Sequence, residues 1–93
     1  MVGQRPKLRG IAQARLDARG HAIKRARQRF SVTLSFDQVK EIEREILLEK
    51  WCRLGRRGDR GLYLVRRQAT EMPAIYDYEL GAIVTFLGDV SWW

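Results

Sequence analysis

The spacing of apolar residues changes at Trp51, and this change constrains the fold more than any other feature of the sequence. Before Trp51, apolar side chains recur at three- and four-residue steps, which is typical of amphipathic helices. After it, short runs rich in β-branched and aromatic residues alternate with turn-forming residues. A chain of 93 residues has room for one modest core. We therefore predict a single α+β domain with two N-terminal helices packed on a three- to four-stranded antiparallel β-meander.

The second helix has the clearest start signal in the chain. Ser35 stands three residues before Gln38, the spacing of a capping box, and Leu34 and Val39 stand at the two positions of a hydrophobic staple. The spacing that follows predicts one buried stripe on this helix. Its members are Phe36, Val39, Ile42, Ile46 and Leu47. The acidic residues between them are expected to be solvated or paired with neighbouring bases.

The first helix is predicted to begin at Gly20, as its N-cap, and to end near Phe30. Steps of about 100° per residue place its core-facing residues within one sector. These residues are Ala22, Ile23, Ala26 and Phe30. Residues 1–19 carry five basic side chains against one acid, and we interpret them as a mobile basic arm, with residues 11–18 able to form a short helix on meeting a partner. Residues 20–93 then form the domain.

The remaining chain is predicted to form the sheet. Strands are expected at residues 51–54, 61–67, 72–78 and 82–87, and the last three are joined by links short enough for hairpins. Pro73 is expected at the start or on an edge of its strand, because it donates no hydrogen bond to a ladder. The final segment ends in two tryptophans, for which two roles stay open: sealing the edge of the core, or stacking on RNA bases.

The charge of the chain indicates a polyanionic partner. Its formal net charge is +7, and 14 of its 18 basic residues are arginine, whose planar group suits bidentate contacts with phosphate. Residues 1–30 carry nine bases and one acid, residues 51–67 carry six and one, and residues 68–93 carry four acids and no base. A membrane surface is the weaker candidate, because no run approaches the roughly 18 apolar residues of a spanning helix. We predict an RNA partner, no membrane partner and a cytoplasmic location.

One histidine stands among these bases. His21 precedes Arg25 by four residues and Arg29 by eight, so all three lie along one flank of the first helix. Guanidinium groups bind phosphate, and imidazole exchanges protons near neutral pH. The combination suggests acid/base chemistry on a phosphodiester. The alternative is a solvated histidine on a basic helix.

The segment at 55–61 is rich in glycine and arginine and is predicted to be a loop. It does not match the phosphate-binding templates, because it leads into a strand and no Lys-Ser/Thr follows. Its arginines are candidates for RNA contacts, with a solvated hairpin loop as the alternative. The predicted nucleic-acid-binding residues are Arg29, Arg56, Arg57, Arg60 and Arg66. Because Cys52 has no second cysteine or histidine cluster to join, we predict neither a metal nor a cofactor, leaving open a carboxylate site for magnesium.

The order of these elements resembles the fold shared by RelE-type messenger-RNA interferases, the tRNA-cleaving domain of colicin D and related small nuclease toxins. The similarity is greatest to a group of short phage and bacterial proteins in that superfamily. The matching motifs are His-Ala with spaced arginines at 21–30, a tyrosine-bearing strand at 61–65, the Tyr76-Asp77 pair and the Ile-Val-Thr strand at 83–87. The resemblance covers about residues 20–88.

This resemblance implies metal-independent RNA cleavage with the 2′-hydroxyl as nucleophile. It implies His21 as acid or base, Arg25 and Arg29 as phosphate clamps, and Tyr76 or Thr85 as orienting hydroxyls. RelE itself uses lysines and arginines from its sheet and lacks this histidine arrangement. The catalytic residues expected on this basis are His21, Arg25, Tyr76 and Thr85.

The predicted function is therefore that of an RNA-binding, toxin-like protein that acts as a metal-independent endoribonuclease on tRNA or ribosome-associated messenger RNA. Two alternatives stay open. One is a non-catalytic nucleic-acid-binding module, which the same net charge explains. The other is a phage-type protein inhibitor of a host enzyme, using the acidic residues of 68–93 and the aromatic tail. The protein partners expected are an antitoxin or a host protein.

Overall fold

The computed structural model describes residues 7–93, which form two helices followed by four strands. The elements are α1 (Lys7–Phe30), α2 (Phe36–Leu47), β1 (Cys52–Arg57), β2 (Arg60–Arg67), β3 (Thr70–Asp77), β4 (Ala82–Phe86) and a 3-10 turn (Val90–Trp92). The strands form one antiparallel sheet in the order β1-β2-β3-β4. The predicted fold class, two helices packed on an antiparallel meander, is confirmed.

Helix α1 is longer than predicted, because it runs through Gly20 and begins at Lys7. A glycine inside a helix costs about 1 kcal/mol relative to alanine, and contacts made by the preceding turns offset that cost. Arg15 Nε donates to the Leu80 carbonyl at 2.7 Å. Arg19 forms a two-pronged pair with Glu43, with Nε and Nη2 at 3.0 and 2.8 Å from its oxygens.

The predicted N-cap at Gly20 is therefore wrong, and so is the boundary that placed residues 7–19 outside the first helix. The physical reason is that residues of the expected arm bond to α2 and to the β3–β4 hairpin. Residues 11–17 are nonetheless exposed, Arg15 included in spite of its bond to Leu80. Residues 1–6 of the expected arm lie outside the described residues.

Helix α2 begins as the sequence predicts. The Gln38 N–H donates to Ser35 Oγ at 3.1 Å, and the Ser35 N–H donates to Gln38 Oε1 at 2.8 Å, so the capping box is confirmed. The middle of the predicted stripe is also confirmed. Val39, Ile42 and Ile46 are all buried.

The two ends of that stripe were predicted wrongly. Phe36 is 45% exposed because it lies at the first turn, beside Gly20 of α1, and Leu47 is 63% exposed at the last turn. Glu43 is buried instead, with 5% of its surface exposed. Its carboxylate accepts from Arg19 and from the Ile83 N–H at 2.9 Å, so every buried oxygen has a partner.

Both helices cover the same face of the sheet. The strand residues in this core are Tyr63, Val65, Met72, Ala74, Tyr76, Ile83 and Phe86. Helix α1 packs mainly on β4, where Ala22 and Ala26 are fully buried and their small side chains allow close approach. Helix α2 lies beside α1. It is bonded to the sheet through Glu45, whose two carboxylate oxygens each accept a hydrogen bond of 2.9 Å from Arg67 of β2. Neither helix packs closely on β1 within residues 7–93, and that strand is exposed along most of its length.

Strand β3 is an interior strand that contains Pro73 at its fourth position, so the expectation of a strand start or edge is wrong. The Pro73 carbonyl accepts from the Leu87 N–H at 2.8 Å, just past the last residue of β4. The proline nitrogen faces the same side as its carbonyl. The N–H that proline lacks would therefore point toward β4, where the β3–β4 ladder ends, and no hydrogen bond of the β2–β3 ladder is lost.

The C-terminal segment packs on the face of the sheet opposite the helices. Trp93 lies against Gly55 of β1, where an added Cβ would stand 2.8 Å from the indole nitrogen. Gly55 pairs with Leu62, a buried residue that is not part of the helix-side core. Trp92 packs on Gly88 of the tail itself and is 56% exposed. Of the two roles left open for the tryptophans, these contacts support sealing the sheet for Trp93 alone.

Candidate nucleic-acid interface

The structure brings two of the four predicted catalytic residues together. His21 is exposed on α1, and Arg25 Nε donates to its Nε2 at 3.3 Å. Partial burial, followed by the positive charges of Arg25, Arg29 and Lys24, lowers the pKa of His21 below its ordinary value. The ring is therefore neutral at pH 7, with its proton on Nδ1. A neutral imidazole next to a guanidinium has the protonation state of a general base.

Arg29, a predicted phosphate-binding residue, mainly makes contacts within the domain. Its Nη1 donates to the Phe86 carbonyl at 2.7 Å, and its guanidinium carbon lies 4.8 Å from the ring centre of Trp92. It thereby joins the end of α1 to the end of β4 and to the tail. Arg29 stays near enough to His21 to affect its pKa.

Tyr76 and Thr85 do not join His21. Tyr76 is 4% exposed inside the helix-side core, and burial, with the nearby charge of Glu43, raises its pKa. Thr85 pairs with Ile75, which places its side chain on the opposite face of the sheet. Among the described side chains, neither hydroxyl forms a hydrogen bond with His21.

The reason lies in how α1 is rotated. Arg19 faces α2, and His21 lies about 200° away around the helix. His21 is therefore on the flank of α1 turned away from α2. The predicted catalytic set is not assembled as one site.

The predicted RNA-binding arginines meet at the β1–β2 hairpin, except for two. Arg56 lies with its guanidinium carbon 4.6 Å from the ring centre of Tyr78, and Arg57 lies 5.2 Å from that of Trp93. Arg60 pairs with Asp77 at 3.1 Å. The exceptions are Arg29, held at the end of β4, and Arg66, exposed near the far end of β2.

The segment predicted as a loop at 55–61 is mostly strand. Its turn consists of Gly58 and Asp59 alone, and Gly58 takes a φ of +57°, which suits glycine. Counting back from this turn, with a bulge between Arg53 and Gly55, places Arg53 opposite Tyr63. Pairing without the bulge would set Leu54 opposite Tyr63, so no spacing signal in the sequence shows the next feature.

A groove of about 580 Å³ lies between the end of α2 and the first two strands. We call it the β1 groove. Its lining residues are Ile46, Leu47, Glu49, Trp51, Arg53 and Tyr63. The sequence pattern put Ile46 and Leu47 in the core stripe of the second helix and Tyr63 on a strand that matches a family motif. It gave no functional role to Glu49, Trp51 or Arg53.

One polar wall of the β1 groove consists of Arg53 and of Tyr63, whose hydroxyl is bonded to Tyr78. The hydroxyls of Tyr63 and Tyr78 are hydrogen-bonded at 2.6 Å. Burial and this bond raise the pKa of Tyr63 to about 12, and the Tyr78 hydroxyl raises the pKa of Arg53. At pH 7 this wall therefore presents the neutral phenol of Tyr63 and the charged guanidinium of Arg53. Tyr78 reaches across Gly61, and its hydroxyl occupies the space of a missing side chain there.

A second groove of about 610 Å³ is lined by Ile11, Asp77, Glu79 and Leu80. Two carboxylates in its wall disfavour a phosphate ligand. Within residues 7–93, no group of three or more ligating side chains is placed to hold a metal ion. No helix in that range has the length and apolar character that crossing a membrane requires.

The fold and the groove define a class: a small α+β domain whose exposed edge strand carries arginines beside aromatic rings. A scan against protein-family models finds no match to this chain, and searches of curated proteins and of solved structures find none either. A functional proposal therefore depends on the chemistry of the described surface.

Proposed function

We propose that this protein binds single-stranded RNA through the β1 edge of its sheet. The observation that carries the proposal is the placement of Arg53, Arg56 and Arg57, each exposed on β1 and each beside an aromatic ring. A guanidinium that lies over a ring is held in one orientation. Single-stranded RNA presents phosphates for such groups and unstacked bases for nearby aromatic side chains.

Charge supports the same surface. In the part of the chain with described side chains, the ion pairs involve Arg19, Arg60 and Arg67 as bases. No acid neutralises the three β1 arginines among those residues. With a net charge of +7, the chain gains affinity for a polyanion by releasing its counterions.

A binding experiment with matched variants tests this proposal. The test variant replaces Arg53, Arg56 and Arg57 by alanine, and the control variant replaces Arg27, Lys40 and Arg44, which are exposed on the helices. Both variants lose three positive charges. Affinity for a labelled 12-nucleotide single-stranded RNA is measured by fluorescence anisotropy over a range of salt concentrations.

The test variant is expected to lose much more affinity than the control variant. The slope of log affinity against log salt should become shallower by about 2, since each phosphate contact contributes about −0.7 for single strands. An equal loss in both variants would show that only total charge matters. That result, or no binding of the parent protein at low salt, overturns the proposal.

RNA cleavage is a second candidate, and the contact between His21 and Arg25 favours it. Together with the resemblance to RelE-type and colicin D-like nucleases, this contact supports a cation for the phosphate next to a base for the 2′-hydroxyl, with Arg25 releasing the Nε2 lone pair when it turns to the phosphate. Incubation with total RNA in chelator, followed by mapping of the cleaved ends, tests this candidate. His21→Ala should reduce cleavage by about 10²–10⁴-fold with little change in RNA affinity. Equal cleavage by parent and variant removes His21 from the mechanism.

A further inference from the structure

The β1 groove has rigid aromatic walls. The Trp51 indole N–H donates to Glu45 Oε1 at 2.8 Å, and Arg67 binds the same carboxylate. Those bonds fix the indole before any ligand arrives. Tyr63 is fixed by its bond to Tyr78. Walls fixed in this way suit a planar ligand, because little side-chain freedom is lost on binding.

The groove also contains one carboxylate, on a residue whose backbone conformation is unfavourable. Glu49 directly follows the C-cap Leu48 of α2 and has a φ of +59°. Glycine is the usual residue at this position of a helix end, because other residues are strained there. Ser31 has the same conformation at the end of α1, so what distinguishes Glu49 is that its side chain lines the groove. No ion pair neutralises Glu49 within residues 10–93.

The size and chemistry of the groove limit what it holds. Ligand sites have volumes of about 300–1,000 Å³, and 580 Å³ accommodates one nucleotide but not a duplex. The aromatic and apolar residues suit a base, and Arg53 suits its phosphate. The groove includes Arg53 of β1, the strand that also carries Arg56, so a nucleotide in it would be continuous with an RNA strand bound along that edge.

The carboxylate selects the base. An ionised carboxylate only accepts hydrogen bonds, with two oxygens side by side. Guanine presents two adjacent donors, N1–H and N2–H, on its Watson–Crick edge. Adenine and cytosine place an acceptor nitrogen beside their amine, and uracil places one N–H between two carbonyls, so each of them sets an acceptor against the carboxylate.

We propose that the β1 groove binds one unpaired guanosine of an RNA strand, with Glu49 accepting from guanine N1–H and N2–H and Arg53 donating to its phosphate. Trp51 and Tyr63 contact the faces or edges of the base. This inference rests on the proposed RNA binding and adds to it a base preference at one position.

Four labelled pentanucleotides test the preference. Their sequences are UUGUU, UUAUU, UUCUU and UUUUU, and their affinities are measured by anisotropy at one salt concentration. UUGUU should bind roughly tenfold more tightly than the other three, the usual size of discrimination by a two-bonded contact to a base. Glu49→Gln should bring UUGUU to the level of the others and leave UUUUU within about twofold.

Glu71→Gln is the matched control, since Glu71 is an exposed acid on β3 and its replacement changes the net charge equally. It should keep the guanine preference. If the parent protein binds neither the pentanucleotides nor the 12-nucleotide strand, the proposed function itself fails; if it binds only the longer strand, the guanosine site is wrong. If it binds all four equally, or if Glu49→Gln keeps the preference, the guanosine site is wrong while RNA binding stands. If guanosine monophosphate alone displaces UUGUU at concentrations equal to those of the pentanucleotide, the groove takes a mononucleotide and the RNA-strand assignment is overturned.

Discussion

The arginines of α1 and those of β1 are the same residue type in opposite surroundings. Arg15, Arg19 and Arg29 each donate to an oxygen of another element, and two of these oxygens are main-chain carbonyls. Arg56 and Arg57 lie over aromatic rings and stay exposed, and the main-chain oxygen to which Arg56 donates, that of Gly58, belongs to its own hairpin turn. The first group holds α1 to the rest of the domain, and the second is available to a ligand. A count of basic residues cannot separate the two groups, because only their partners differ.

The largest expected effect tests the α1 side. Glu43→Ala leaves Arg19 and the Ile83 N–H without their partner in a nearly dry site. Removing one member of a buried pair costs about 3–5 kcal/mol, which is a large share of the stability of a small domain. Urea unfolding measures the loss. Glu41→Ala is the control on the same helix, and because its carboxylate is 55% exposed the loss there should stay below about 1 kcal/mol. Equal losses would show that α1 is not held by this pair.

The next prediction contrasts one arginine from each group. Arg29→Ala removes a charged donor from the Phe86 carbonyl and a cation from Trp92, and should lower the free energy of unfolding by about 1–2 kcal/mol. Arg57→Ala should leave the urea midpoint nearly unchanged and weaken RNA binding instead. If Arg57→Ala unfolds as readily as Arg29→Ala, the distinction between the two groups is wrong.

A smaller effect is expected at the tyrosine pair. Tyr63→Phe removes the 2.6 Å hydrogen bond to Tyr78 and should cost about 1 kcal/mol at pH 7. Because the pKa of Tyr63 is raised to about 12 in the folded protein, the stability linked to it is complete below pH 10. It is lost as the pH rises from 10 to 12. Urea midpoints at pH 9 and 11 should therefore differ less in Tyr63→Phe than in the parent protein, and an unchanged difference contradicts the assignment.

The smallest effect concerns His21. Its folded-state pKa is lowered, so the unfolded chain takes up a proton first as the pH falls. Stability linked to this group is present above about pH 6.5 and decreases as the pH falls below that value. The imidazole resonances in a proton NMR titration should show a midpoint below 6.5. Arg25→Gln should move that midpoint upward, whereas Arg66→Gln, on β2, should not. If the titration midpoint of His21 is the same in Arg25→Gln as in the parent protein, the two side chains are not in contact in solution.

Local signals in the sequence predicted much of the fold. The capping box at Ser35 and Gln38 needs only four residues to form, and the structure confirms it. The extent of α1 depends instead on Leu80 and Glu43, which lie far from it in the chain. No spacing rule shows such partners. Gly20 therefore suggested a start for the first helix, but contacts with distant residues extend the helix to Lys7.

In the candidate site, too, local features could be predicted from the sequence and long-range features could not. Arg56, Arg57 and Arg60 were predicted together and meet because one hairpin contains them. Whether Thr85 shares a face with Tyr76 depends on a bulge in the β3–β4 ladder, which shifts the register between Ile75 and Tyr76. A single extra residue reverses the face of the side chains beyond it. Strict alternation from Ile83 would have placed Thr85 on the helix side, and the bulge turns it away.

Strand β1 is also an edge of the sheet, and its bulge and arginines have a second consequence. An open edge offers unpaired main-chain groups to the edge strand of another molecule, and natural proteins counter this with charge and irregular register. Strand β1 has both devices, in Arg53, Arg56, Arg57 and the shift between Arg53 and Gly55. Replacing these arginines by neutral residues therefore opens a route to aggregation through strand pairing. Lysine at the same positions keeps the repulsion between molecules while removing the planar guanidinium.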